Sequence, residues 1–121
     1  MTQLQIDQNV KVKALELAAN FESTLDIDPI CFYVIIACGR QEFGFSGAQL
    51  VACTKTCLHQ LMVTGARPIV DNGEKRGVWT EQKQYGSSIE EIVDNVIREW
   101  QDSGVDPDYS LWFGLPKFFE N

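Results

Sequence analysis

Histidine occurs once among the 121 residues, at His59. A cysteine–histidine nucleophilic site would have to use that one imidazole, with one of four thiols as its partner. Nothing around it supports such chemistry: the chain has no nucleophile elbow, no glycine-rich phosphate loop and no metalloprotease helix motif. The cysteines, Cys31, Cys38, Cys53 and Cys57, include no C-x-x-C pair. Cys53 and Cys57 would share one face of a helix, but His59 lies about 200° around it from Cys57, so a common metal site would need a distorted helix. Cys31 and Cys38, seven apart, could in principle complete a tetrad with them. Buried free cysteines behave as small apolar residues, so four core thiols are expected, with no metal and no cofactor.

Positive charge is also scarce. Ten Lys and Arg stand against 17 Asp and Glu, a net charge of -7, which repels phosphate backbones and anionic membrane surfaces. The cations are scattered from Lys11 to Lys117, with only Lys75 and Arg76 adjacent. Long apolar runs are missing as well: the longest, Ile30 to Cys38, is about half of what a bilayer-spanning helix needs. The polar start, Met1 to Gln8, carries Asp7 and has neither the basic nor the apolar region of a secretion signal. A cytoplasmic protein with reduced thiols is the expectation.

The residues that are present describe a single domain over 1–121. An apolar fraction of 45% with 22% charged residues is average for globular proteins, and a chain of this length can bury roughly two-thirds of its unfolded surface. No repeat, low-complexity stretch or linker divides it.

Apolar residues at Ala14, Leu17, Ala18, Phe21 and Leu25 have helical spacing and predict a helix over Val10–Leu25. Asp28-Pro29 is a helix start signal, predicting a second helix over about Pro29–Gln41 that is apolar on nearly every side and therefore central. Ser46 caps a third helix, with Leu50, Val51, Cys57, Leu58, Leu61 and Met62 inward, which Gly65 ends. Arg67 to Tyr85, turning at Asn72-Gly73, reads as a β-hairpin with a charged tip that includes Lys75 and Arg76. Ser88 and Glu91 have capping-box spacing ahead of a fourth helix lined by Ile89, Ile92, Val93, Val96, Ile97 and Trp100 and closed by Gly104. The fold class is thus α+β: four helices, a hairpin between the third and fourth, and a C-terminal extended segment.

Helices followed by a hairpin share the outline of winged-helix domains, which makes a DNA-binding regulator one alternative. Its third helix would offer Gln49, Thr54, Lys55, His59 and Gln60, with a single cation among them, so nucleic-acid affinity is not favoured. A small enzyme using a cysteine or Glu42 with His59 is a second alternative, Glu42 because partial burial beside Phe43-Gly44-Phe45 would raise its pKa. The carboxylates Glu90, Glu91, Asp94, Glu99 and Asp102 coat the wet side of the fourth helix. The strongest signal is the crowd of aromatics from Tyr109 to Phe119, which must be buried in the core or against a partner. The preferred expectation is a non-enzymatic protein-interaction module, an adaptor, inhibitor or regulator. It would bind another protein, or a second copy of itself, through Trp112, Phe113, Phe118 and Phe119. Its acidity favours a partner with a basic surface.

Overall fold

Thr2 and Gln5 cap each other. The Gln5 N–H donates to the Thr2 hydroxyl at 3.2 Å and the Thr2 N–H donates to the Gln5 side-chain oxygen at 2.9 Å, a reciprocal box that satisfies two orphan donors. Helix α1 therefore spans Gln3–Leu25 and begins well before Val10. Apolar spacing reveals only its packed part, where Val10, Ala14, Leu17, Ala18 and Leu25 are buried. The computed structural model describes residues 2–73 and 78–120.

The Asp28-Pro29 signal does not start the second helix. Ile30 and Cys31 form strand β1, and α2 (Phe32–Phe43) begins where the Phe32 N–H donates to the Leu111 carbonyl at 2.9 Å. A distant strand thus satisfies backbone groups that a helical turn would have satisfied locally. Nor is α2 central: Phe32, Ile35, Ile36 and Gly39 face inward while Val34 is exposed. The central helix is α3 (Gly47–Thr64), which packs on α1, α2 and α4 (Ile89–Ser103). Leu50, Cys53, Cys57, Leu58, Leu61 and Met62 fill its buried side, and the buried Thr54 hydroxyl is satisfied by the Leu50 carbonyl at 2.8 Å.

Strands β2 (Arg67–Asp71) and β3 (Trp79–Glu81) form the expected hairpin, paired Ile69 to Glu81 and Asp71 to Trp79. Its tip, with Lys75 and Arg76, lies outside the described residues. Lys83–Tyr85, expected to prolong β3, is a 3-10 turn that buries the Tyr85 ring. Three side chains of α4, four residues apart, grip this turn. Glu91 accepts the Ser87 N–H at 2.7 Å, Asn95 donates to the Tyr85 carbonyl at 2.6 Å, and Glu99 accepts the Tyr85 hydroxyl at 2.9 Å. Ser88 caps α4 by accepting the Glu91 N–H at 3.1 Å. The Glu91 carboxylate, however, reaches Ser87 rather than Ser88.

After Gly104 the chain returns to the sheet. Strand β4 (Trp112–Gly114) inserts between β1 and β2, giving an antiparallel sheet in the order β1-β4-β2-β3. Among the described residues the protein thus has four α-helices and a four-stranded antiparallel sheet. The outline shared with winged-helix domains ends at the hairpin: α4 packs against the helix such a domain would lay in a DNA groove, and β4 lies between β1 and the hairpin.

The returning segment is fastened by Arg40, whose guanidinium grips the Asp106 carboxylate at 2.7 and 3.0 Å. That hydrogen bond holds the Asp106 carboxyl below its ordinary pKa. The side chains remain 44% and 34% exposed, so water screens the pair, and Arg40→Ala should cost only about 0.5–1 kcal/mol at neutral pH. A depressed folded pKa contributes stability that is present above the unfolded value, about 3.9, and is lost as pH falls through the folded value. Urea titrations of wild type and Arg40→Ala should therefore differ at pH 7 and converge as the solution is acidified. A gap that survives acidification would mean the pair does not stabilise the fold.

Candidate functional site

Strand alternation and register sort the sheet residues onto two faces. Ile30, Phe113, Pro68, Val70 and Thr80 share one face; Cys31, Trp112, Gly114, Ile69, Trp79, Asp71 and Glu81 share the other. The first face turns to the helices. Phe113 is fully buried there, its ring edge-on to Phe32 at 6.0 Å. Phe113, expected among the partner-binding aromatics, is a core residue.

The second face carries an apolar layer of its own. Trp79 on β3 and Trp112 on β4 stand on either side of β2, and their ring centroids are 5.4 Å apart. To meet they must bridge over β2, which accounts for Ile69, on that strand, having no exposed surface while lying outside the main core cluster. Gly114 makes room beneath: a Cβ there would stand 2.7 Å from the Ile69 Cδ1 and 3.3 Å from Pro29. The Trp112 indole donates to the Tyr109 carbonyl at 2.6 Å, and the Tyr109 ring, 65% exposed, leans on Tyr33 at 5.0 Å. Both tryptophans stay half-buried. Their neighbours on the face are the carboxylates Asp71 and Glu81. The guanidinium of Arg67 turns away to the carbonyls of Ala66 at 2.7 Å and Met62 at 3.1 Å. Nearby, the Ser110 hydroxyl and N–H hold the Asp108 carboxyl below the usual range.

Phe118 and Phe119 are half-buried in the 3-10 turn Pro116–Phe118 and just past it. Lys117 ties that turn to Asp26 at 2.7 Å and lies over the Phe118 ring. Trp79 and Tyr33 were not among the residues singled out from the sequence. The contact between Trp79 and Trp112 depends on a register that only the folded sheet sets.

The remaining candidates do not converge. His59 Nε2 lies 3.6 Å from the Glu90 carboxylate, and Lys55 Nζ 2.9 Å from Asp94, across a groove of about 360 Å³ between α3 and α4. None of the four cysteines lines that groove. Burial pushes the Cys53 thiol up to about 11 and Cys57 higher still, the opposite of the depressed pKa a nucleophilic thiolate needs. Glu42 is exposed rather than partly buried. Among the described residues no group of three or more His, Cys, Asp and Glu side chains could hold a metal ion. Lys55, the one cation of α3, already faces Asp94 of α4, which leaves little to attract phosphate. No helix among the described residues is long and apolar enough to cross a membrane. Comparison with protein-family models, with curated proteins and with solved structures finds no match to this chain in any of the three.

Proposed function

We propose that the chain is a non-enzymatic protein-interaction module, acting in the cytoplasm as an adaptor, inhibitor or regulator. It binds another protein through the sheet face built around Trp112 and Trp79, with Phe118 and Phe119 contributing from the C-terminal turn. The bridged tryptophan pair carries this reading: two large amphipathic rings pack on each other at the surface, on a face separate from the main core. Tryptophan is the residue type most enriched among interface anchors, and a rigid ring loses little conformational entropy on binding. Asp71 and Glu81 beside the pair, with the net charge of -7, favour a basic partner surface.

The test is a nuclease-treated pull-down from native lysate, with the retained protein identified, purified and remixed with this chain. The Trp112→Ala, Phe119→Ala double variant, shown to be folded by circular dichroism, should bind that purified partner at least about tenfold more weakly, as expected for the loss of an interface anchor. Equal affinity of wild type and folded variant would end the proposal.

A further inference from the structure

The hairpin leaves one strand edge open. Strand β3 lies last in the sheet order, and nothing among the described residues pairs with its outer side. The Asn72 N–H donates to the Val78 carbonyl at 2.7 Å and the Gln82 N–H to the Pro68 carbonyl at 2.8 Å. Antiparallel ladders alternate every second residue, so Thr80 directs its backbone groups at β2 while Trp79 and Glu81 direct theirs outward. Natural edges are blunted by brevity, by charged side chains, by proline or by a bulge. Trp79-Thr80-Glu81 is short, at three residues, but has no proline or lysine, and its one charge, Glu81, repels acidic strands and not basic ones; Lys83 comes only after the strand, in the 3-10 turn. The opposite edge, β1, is two residues long and runs straight into α2.

The face beside this open edge has a definite chemistry. Trp79 offers an aromatic ring, Asp71 and Glu81 offer carboxylates on the same side, and Arg67 is turned back onto the carbonyls of Ala66 and Met62. An arginine guanidinium suits both groups at once, since it stacks on indole and pairs with a carboxylate through two parallel hydrogen bonds. We infer that the partner presents an extended segment that adds to the outer edge of β3, with arginines at alternate positions lying over Trp79 and Glu81. This rests on the interaction reading above and specifies its partner. Strand addition supplies main-chain hydrogen bonds for affinity, while the alternate side chains supply specificity. The residue between two such arginines points to the other side, toward Val70 and Thr80, where a β-branched side chain fits.

The probe is a fluorescein-labelled ten-residue peptide centred on Arg-Val-Arg, titrated against the full chain and followed by anisotropy. Methylating the backbone nitrogens that face β3 should weaken binding by about five- to tenfold per donor removed, the equivalent of one hydrogen bond. Methylation one residue out of register should have little effect. The Glu-Val-Glu peptide should not bind, and Glu81→Lys, a change at a partly exposed position that leaves the tryptophans in place, should lose at least about tenfold for the arginine peptide. Equal sensitivity to methylation in both registers, or equal binding of the glutamate peptide, would overturn the inference. So would a dimer in sedimentation that excess peptide fails to dissociate, because the edge would then belong to a second copy. If the arginine peptide does not bind while the purified partner still depends on Trp112 and Phe119, the edge inference fails and the interaction module stands. If the partner ignores those residues, the module itself fails whatever the peptide does.

Discussion

Replacing Phe113 by alanine should lower the unfolding free energy by about 3–5 kcal/mol, the range for truncating a fully enclosed phenylalanine. The ring has no exposed surface and meets Phe32 edge-on at 6.0 Å, and Phe32 in turn meets Trp100 edge-on at 6.1 Å. These three rings join β4, α2 and α4, so a void at 113 loosens the contact between the sheet and two helices. In a domain of this size the loss corresponds to a fall in Tm of roughly 10–25 °C. Phe113→Leu keeps most of the volume and should cost no more than about 1.5 kcal/mol. Urea unfolding of both variants decides the matter. A loss below about 1 kcal/mol for the alanine variant would mean that β4 is not inserted between β1 and β2. Trp112→Ala makes the contrast, because its ring covers Ile69 on the opposite face and is partly in water already.

The elements that were legible in the sequence are those whose signals sit beside them. Ser46 and Gly65 bound α3, although the Ser46 side chain makes no capping bond, and Ser88 and Gly104 bound α4. Asn72-Gly73 marks the end of β2, but Asn72 pairs with Val78 rather than forming a two-residue turn, and the residues between Gly73 and Val78 lie outside the described ones. The capping pair Thr2 and Gln5 was equally local, but before Val10 only Ile6 continues the apolar spacing, too little to mark the start of α1. Strand β1 was beyond reach for a different reason, and β4 was legible only as an extended segment without a partner. Ile30 pairs with Phe113 and Cys31 with Trp112, far apart in sequence, and each segment is too short to declare itself without the other. At Asp28-Pro29 a genuine local helix signal lost to this pairing, as intrinsic propensity does when tertiary contacts outweigh it. The candidate site shows the same division. That the C-terminal aromatics needed cover followed from composition alone. Splitting Trp112 from Phe113 required knowing that they occupy a strand, where neighbours point to opposite faces, and finding Trp79 as the companion of Trp112 required the order of the sheet.

Gly86→Ala should be nearly as costly, at about 2–4 kcal/mol, though the residue fills no core. Gly86 has φ 135 and ψ -170, a region that only glycine occupies without strain of about 1–3 kcal/mol. Its missing Cβ is also what lets Glu91 through, for a methyl group there would overlap the Glu91 carboxylate. That carboxylate holds the Ser87 N–H at 2.7 Å, a bond worth about 1 kcal/mol. The two contributions separate in a double-mutant cycle. Glu91→Ala alone should cost about 1 kcal/mol, and Gly86→Ala made in that background should retain only the backbone penalty, so the double variant loses less than the sum of the two singles. A neutral Gly86→Ala would mean that the turn takes an ordinary backbone path and that Tyr85 is not clamped to α4. The clamp also bears on binding, because Gln82 closes the β2–β3 ladder immediately before this turn. Freeing the turn should let the end of β3 fray in a chain that is otherwise folded. Gly86→Ala should then weaken the arginine peptide even at temperatures well below its own Tm, whereas Phe113→Ala, which spares the hairpin, should weaken it only as the whole domain unfolds.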